Sequence, residues 1–224
     1  FCISEVLDRG DHVIMPGVID VHVHINQPGR EAWEGFESAC RAAAAGGTTT
    51  MLDMPLNSVP ATIDMASLKK KVDAAKASRL LTDIGLIGGV VPANLENFTS
   101  LVTEGGVIAL KSFLTYGRIQ DQFGMSGEDQ WADVTVKQLH AAMGRLSALG
   151  NDSVPYIVHA ELIDKDAPPP QGDPMSFETF AHTRPEGAET RAIAEVIRGA
   201  AKTGARTHIA HISTIKGADM VKKA

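Results

Sequence analysis

Short apolar runs rich in β-branched residues alternate with longer amphipathic stretches along most of this chain. The apolar runs predict six strands, at residues 18–24, 48–54, 81–91, 107–114, 154–159 and 206–211. The amphipathic stretches predict six helices, at residues 33–45, 64–78, 95–103, 134–149, 186–203 and 214–224. This alternation is typical of a parallel sheet whose faces are covered by helices.

Two α/β architectures fit six such units, an open doubly wound sheet and a (β/α)8 barrel. No Gly-x-Gly-x-x-Gly motif follows the first strand, which weighs against a dinucleotide-binding doubly wound fold. We therefore expect a partial TIM-like (β/α)8 barrel with about six βα units present. The incomplete barrel should span residues 17–224, and we interpret residues 1–16 as the remnant of a small N-terminal β domain.

Charge and composition narrow the class of partner. With 21 basic and 27 acidic residues the formal charge is −6, which argues against nucleic acid as a partner. No apolar run reaches the roughly 18 residues of a membrane span, and no signal peptide is visible. Two cysteines, neither in a CxxC motif, favour a reducing compartment. We expect a cytoplasmic protein that acts on a small molecule.

The first predicted strand is a buried one that ends in two histidines separated by one residue. Because side chains alternate along a strand, His22 and His24 should point to the same face. They also lie at the carboxyl end of the strand, where barrels of parallel strands build their active sites. The pair alone leaves a hydrogen-bonded core role and metal binding both open.

Three later strands also carry ionisable residues towards their carboxyl ends, namely Lys111, His159 and His211. By contrast, His208 precedes His211 by three residues, so strand alternation predicts that it faces the other way and serves packing. Together with the first pair, five candidate ligands fall on four strands. This set is far more specific than one pair of histidines.

Lys111 stands in an otherwise apolar strand, and a buried amine must be neutral, paired or modified. The alternative is that its stem packs along the strand while the amine reaches solvent. A neutral amine can react with carbon dioxide to give a carbamate, whose two oxygens can bridge two cations. Such oxygens with imidazole nitrogens suit zinc, iron, cobalt or manganese, and two such ions about 3.5–4 Å apart can polarise a carbonyl.

This ligand set, with several flanking segments, resembles the amidohydrolase superfamily in its cyclic-amidase branch of allantoinases, dihydroorotases and dihydropyrimidinases. The segments are residues 16–24, 27–30, 33–36, 43–50 and 53–57. The resemblance implies that His22 and His24 hold one divalent metal ion and that His159 and His211 hold a second. It implies a carboxylated Lys111 as the bridge, zinc as the first choice of metal, and a homo-oligomer at full length.

Two details separate the branches. Dihydroorotases usually carry an arginine where this chain has Asn26, and dihydropyrimidinases usually lack the Met-Pro-Leu-Asn that ends at Asn57. Both details favour allantoinases, which open the hydantoin ring of allantoin to allantoate, and make Asn26 and Asn57 candidate substrate-binding residues. Dihydroorotase or dihydropyrimidinase/hydantoinase activity is the alternative. Another alternative is a non-catalytic barrel acting in assembly. Loss of the metal-ligand residues would indicate that alternative.

Two features depart from the family pattern. Residues 114–121, directly after the lysine strand, are not typical of the family. The family also needs an aspartate at the end of an eighth strand as metal ligand and general acid/base. This aspartate is expected beyond the end of the chain, which leaves the catalytic residue unknown.

Overall fold

The computed structural model describes residues 6–115, 131–164, 171–173 and 175–224. One sheet contains six strands in the order of the sequence, and every neighbouring pair is parallel. The strands are β1 (Val18–Val23), β2 (Thr48–Asp53), β3 (Asp83–Gly89), β4 (Ala109–Leu114), β5 (Tyr156–Ala160) and β6 (Thr207–Ile209). The sheet curls as half of a TIM-like barrel, which confirms the expected fold class.

Helices cover the outer face of the sheet. They are α1 (Phe36–Ala45), α2 (Met65–Ala77), α3 (Thr99–Thr103), α4 (Val136–Ser147), α5 (Phe177–His182), α6 (Glu186–Thr203) and α7 (Ile215–Lys223). Short 3-10 turns lie at Pro92–Asn94 and Gly150–Asp152. None of the described helices is long and apolar enough to span a membrane.

Helix boundaries follow local chemistry. The backbone N–H of Ser67 donates to the Asp64 carboxylate at 2.7 Å, which caps the start of α2. Helix α1 and the stretch before α6 both differ from the predicted elements. Helix α1 begins at Phe36 rather than at residue 33, because Gly35 holds a positive φ of 102° that a helix cannot include. Helix α5 lies inside the stretch between β5 and α6 that carried no predicted helix.

Alternation along β4 separates two apolar layers. Leu110 and Leu114 pack towards the helices, whereas Ala109 and Phe113 pack into the concave face of the sheet. Gly89 on the neighbouring strand has no side chain there, and a Cβ would lie 2.5 Å from the ring of Trp131. The glycine therefore allows that indole to cover the floor of the concave face.

The first strand is not buried, contrary to the sequence expectation. Val18, Ile19 and Val21 are 55%, 59% and 53% exposed. The physical reason is that β1 is an edge strand, since within the described residues it pairs with β2 alone. Apolar character therefore indicated a strand correctly, but it did not indicate which face of that strand would be covered.

An apolar edge strand of this kind invites pairing between copies of the chain. We expect residues 1–224, expressed alone, to be poorly soluble and to aggregate. Val21→Lys should raise the soluble fraction, whereas Val221→Lys on an exposed helical position should not. Centrifugation and light scattering measure both effects. A monodisperse monomer of the unmodified chain would contradict the expectation.

Candidate functional site

The five predicted ligands come together at the carboxyl edge of the sheet. The ring centroids of His22 and His24 lie 5.4 Å apart, which matches their predicted position on one face of β1. Those of His159 and His211 lie 4.5 Å apart, and His22 lies 5.6 Å from His211. Lys111 is close enough for its charge to affect His22, His24 and His211.

The amine of Lys111 is enclosed rather than solvent-exposed. The residue is 1% exposed, and its Nζ lies 5.2 Å from the centroid of the Phe113 ring. Burial lowers the pKa of Lys111 to about 8, because a low-dielectric environment disfavours the charged form. The alternative in which the amine reaches solvent is therefore wrong. A sizeable fraction of the amine is neutral at pH 8.

Burial and neighbouring cations lower the pKa values of three imidazoles, those of His22, His24 and His211. Burial, followed by the charges of Lys111 and His24, lowers the pKa of His22 to about 4. Burial, followed by the charges of His159 and Lys111, lowers the pKa of His211 to about 4. Burial also lowers the pKa of His24, although Asp53 opposes that shift. Neutral imidazole is the form that binds metal ions.

The second imidazole pair is held by an irregular turn. Strand β6 ends at Ile209, and His211 follows it with a positive φ of 39°. On α6, the Glu189 carboxylate accepts hydrogen bonds from the N–H groups of Ser213 and Thr214 at 2.6 and 2.9 Å. This carboxylate fixes the turn directly after His211.

The predicted orientation of His208 needs correction. In the parallel register His208 lies beside Ile157, which packs in the concave apolar layer, so the His208 side chain faces the concave side of the sheet. The prediction that His208 and His211 face opposite ways assumed a regular strand through both residues. That assumption fails because the strand ends between them.

The predicted substrate-binding asparagines occupy different surroundings. Both have positive φ values, 65° for Asn26 and 67° for Asn57, a conformation that asparagine tolerates better than most residues. The side-chain amide of Asn57 lies 3.2 Å from Nδ1 of His24, so it contacts a predicted ligand directly. Asn26 is buried, and its Oδ1 has no partner among the described residues.

Below the first histidine pair lies a buried ion pair that the sequence reasoning missed. Lys71 of α2 donates to the Asp53 carboxylate at 2.7 Å and to the Met54 carbonyl at 3.0 Å. Asp53 also accepts the backbone N–H of Ile25 at 2.8 Å. The pair therefore ties the segments after β1 and β2, which carry Asn26 and Asn57, to helix α2. An aspartate at the end of an apolar strand was the available signal.

Removing one member of this pair should open the segment after His24. Lys71→Met leaves the Asp53 carboxylate buried without its cation, which costs about 3–5 kcal/mol. In the longest gene product that contains this chain, the Ile25 amide should then exchange its hydrogen at least about a hundredfold faster. Hydrogen-exchange mass spectrometry of the peptide around Ile25 measures the change.

The double variant Asp53→Asn with Lys71→Met should restore much of the protection, because no charge is left unpaired and the asparagine oxygen still accepts the Ile25 N–H. Lys69→Met is the matched control, since Lys69 forms an exposed pair with Asp73 that contributes little. Unchanged exchange in Lys71→Met would contradict the tying role.

A cavity of about 520 Å³ opens beside the second histidine pair. Its lining includes His159 and His211, the pair formed by Glu161 and Arg184, and two phenylalanines of α5. Phe177 is 81% exposed at its rim. The cavity could admit a small cyclic molecule next to the imidazoles.

The donor set offers the chemistry that metal ions need, although it forms no ready cluster of three ligands among the described residues. Within residues 6–115, 131–164, 171–173 and 175–224, no three His, Cys, Asp or Glu side chains are arranged as a ready metal site. The imidazoles instead form two pairs, with the buried amine of Lys111 near them. Neutral imidazoles suit zinc and related ions, so the chemistry of the donors fits. Residues 116–121 of the atypical stretch lie outside the described residues.

The sequence profile of the amidohydrolase family matches residues 13–223. The chain belongs to the amidohydrolase family. The family membership inferred from the histidine and lysine motifs is thereby confirmed, as a match over nearly the whole chain. The roles of the individual ligand residues in this amidohydrolase chain stay predictions.

Within the amidohydrolase family, the chain is similar to proteins named allantoinase. The chain is 42% identical to a protein named allantoinase from Arabidopsis thaliana, over 98% of this chain and 43% of that protein. It is 38% identical to an allantoinase from Streptomyces avermitilis, over 94% of this chain and 44% of that protein. The chain therefore spans less than half the length of these relatives.

A solved structure supports the same fold. The L-hydantoinase (dihydropyrimidinase) from Arthrobacter aurescens superimposes with a TM-score of 0.76 at 25% identity. The match covers 93% of this amidohydrolase chain and 44% of the hydantoinase. The half-barrel described above thus matches part of a known fold.

Proposed function

We propose that the protein carrying this chain hydrolyses a cyclic amide and opens the hydantoin ring of allantoin to allantoate. The observation that carries the proposal is the cluster of four imidazoles at the same sheet edge at which the amine of Lys111 is buried. The similarity to proteins named allantoinase supports the choice of substrate. We also expect a homo-oligomer in the cytoplasm, with a small molecule as the only substrate.

The metal centre is part of this proposal. Amidohydrolase-family proteins generally use a binuclear metal centre. We assign one divalent ion to His22 and His24 and the other to His159 and His211, with zinc as the first choice and iron, cobalt or manganese as alternatives. Two such ions, when bound, would polarise the amide carbonyl and activate water.

Lys111 supplies the group that would join the two pairs. Its neutral amine adds to carbon dioxide, forms one N–C bond and releases one proton to solvent, which leaves an anionic carbamate. The enclosing ring of Phe113 and the nearly complete burial of the residue favour the neutral amine that this step needs. The carbamate oxygens would then place one negative charge between the imidazole pairs.

Two further side chains contact the imidazole rings and hold them in place. Asn57 holds the Nδ1 side of His24, and Phe113 stacks on His159 with ring centroids 4.7 Å apart. The general acid/base is not assigned to any described residue. We propose that an aspartate beyond residue 224 supplies it, as the family resemblance implies.

Two other activities use the same geometry. A hydantoinase or dihydropyrimidinase activity is favoured by the similarity to the Arthrobacter structure. Dihydroorotase activity needs a cation for the ring carboxylate, and the buried Asn26 offers none. A non-catalytic barrel would have no reason to keep five ligand-type residues at one edge.

Replacing Lys111 tests the metal centre. In the longest gene product containing this chain, Lys111→Ala should lower the metal content from close to two ions per chain and reduce turnover by at least about a hundredfold. The reason is that both imidazole pairs lose the bridging anion. Elemental analysis of the purified protein measures the metal content.

Lys69→Ala is the matched control, because Lys69 is an exposed lysine whose partner is Asp73. It should keep the metal content and turnover of the wild type. An unchanged metal content in Lys111→Ala would remove the bridging role.

The choice of substrate is tested by comparing kcat/KM for allantoin, dihydroorotate, dihydrouracil and a 5-substituted hydantoin. Allantoin should exceed dihydroorotate by at least about one to two orders of magnitude, because a missing charged hydrogen bond costs about 1.5–3 kcal/mol. Equal or faster turnover of dihydroorotate would reverse the assignment. Faster opening of the substituted hydantoin would favour the hydantoinase alternative, and no turnover of any of the four substrates would favour the assembly role.

A further inference from the structure

His159 contacts a different partner through each of its two ring nitrogens. Its Nε2 lies 3.2 Å from Oε2 of Glu161, and its Nδ1 lies 3.2 Å from Nε2 of His211. A carboxylate only accepts hydrogen bonds, so the proton of a neutral His159 ring belongs on Nε2. The lone pair on Nδ1 is then directed at the His211 ring.

Glu161 is itself held in place. Its other oxygen, Oε1, lies 3.2 Å from Nε of Arg184, at the start of the segment that leads into α6. The backbone N–H of Glu161 donates to the Leu114 carbonyl at 3.2 Å, which anchors the residue at the end of β4. Both carboxylate oxygens therefore have partners, and the side chain is about 18% exposed.

The distance between His159 Nδ1 and His211 Nε2 can be compared with the spacing of two nitrogens bound to one metal ion. Two nitrogens that share a tetrahedral metal ion at about 2.0–2.1 Å lie about 3.3–3.4 Å apart. The observed separation between His159 Nδ1 and His211 Nε2 is 3.2 Å. Phe113 stacked on the His159 ring restricts tilting of that ring. The spacing of this nitrogen pair is that of a hydrogen bond between the rings, and it is also close to the spacing that a shared ion needs.

We propose that Glu161, braced by Arg184, is a positioning residue that keeps His159 in the tautomer protonated on Nε2 and presents Nδ1 to the metal ion shared with His211. The proposal rests on the metal-dependent function proposed above. It assigns Glu161 a positioning role and not that of the general acid/base, since each of its oxygens has a partner in the protein. Orienting a metal-binding histidine through a carboxylate typically changes metal affinity by about 10–100-fold.

The test compares Glu161→Leu, which removes the acceptor, with Glu161→Gln, which keeps a carbonyl oxygen. The longest gene product containing this chain is stripped of metal and titrated with cobalt(II) in competition with a chromophoric chelator. Glu161→Leu should weaken binding of one of the two cobalt ions about 10–100-fold. Glu161→Gln should stay within a few-fold of the wild type, and Arg184→Met should lie between them.

Glu96→Leu is the matched control, because Glu96 forms an exposed ion pair with Arg145 far from the cavity. It should leave cobalt affinity unchanged. At saturating cobalt, Glu161→Leu should regain most of the wild-type kcat, since its defect lies in binding. A kcat that stays at least a hundredfold low at saturation would make Glu161 a catalytic residue and overturn the positioning role.

The tautomer of His159 can be measured in the metal-free protein, without an activity assay. Long-range ¹H–¹⁵N NMR of the metal-free protein, assigned with a His159→Gln variant, should show the His159 proton on Nε2 in the wild type and mixed tautomers in Glu161→Leu. A proton on Nδ1 in the wild type overturns the inference. If Glu161→Leu does not fold, Arg184→Met carries the same comparison. A wild type that binds no cobalt overturns the proposed function, and the NMR result still decides the tautomer.

Discussion

Parallel pairing in chain order is the constraint on which the site depends. Because every strand of the sheet runs in the same direction, all six carboxyl ends lie along one edge. Side chains that are far apart in sequence, such as His22 and His211, therefore meet at that edge. In the register between β4 and β5, Phe113 lies beside His159. Strand pairing therefore also places individual side chains of neighbouring strands next to each other.

Much of this arrangement was predictable, because it follows from periodicity. Strand alternation places His22 and His24 on one face, and an apolar strand interrupted by Lys111 implies an unusual amine. The order of strands and helices needs no more than the spacing of apolar runs. Those features are local properties of the sequence, and the structure bears them out in the ring distances and in the burial of Lys111.

The remaining features depend on contacts between distant segments, which periodicity does not encode. The exposure of β1 is a property of its position at the edge of the sheet. The turn at His211 owes its shape to Glu189, which lies 22 residues earlier on a helix. The pairing of Asp53 with Lys71 likewise joins a strand end to a helix. A sequence pattern can nominate such residues, but only the fold identifies their partners.

The ion pairs of two carboxylates affect the charge balance of the proposed metal site. Two carboxylates near the histidine pairs, Asp53 and Glu161, are each already bound to a cation of the protein, Lys71 and Arg184. Neutral imidazoles cannot offset the charge of two divalent ions. A carbamate on Lys111 would add one negative charge at the point where both pairs converge. Burial disfavours the ammonium form of Lys111 and so favours its neutral amine. The neutral amine is the form that can become the carbamate, which would supply the negative charge that the site needs.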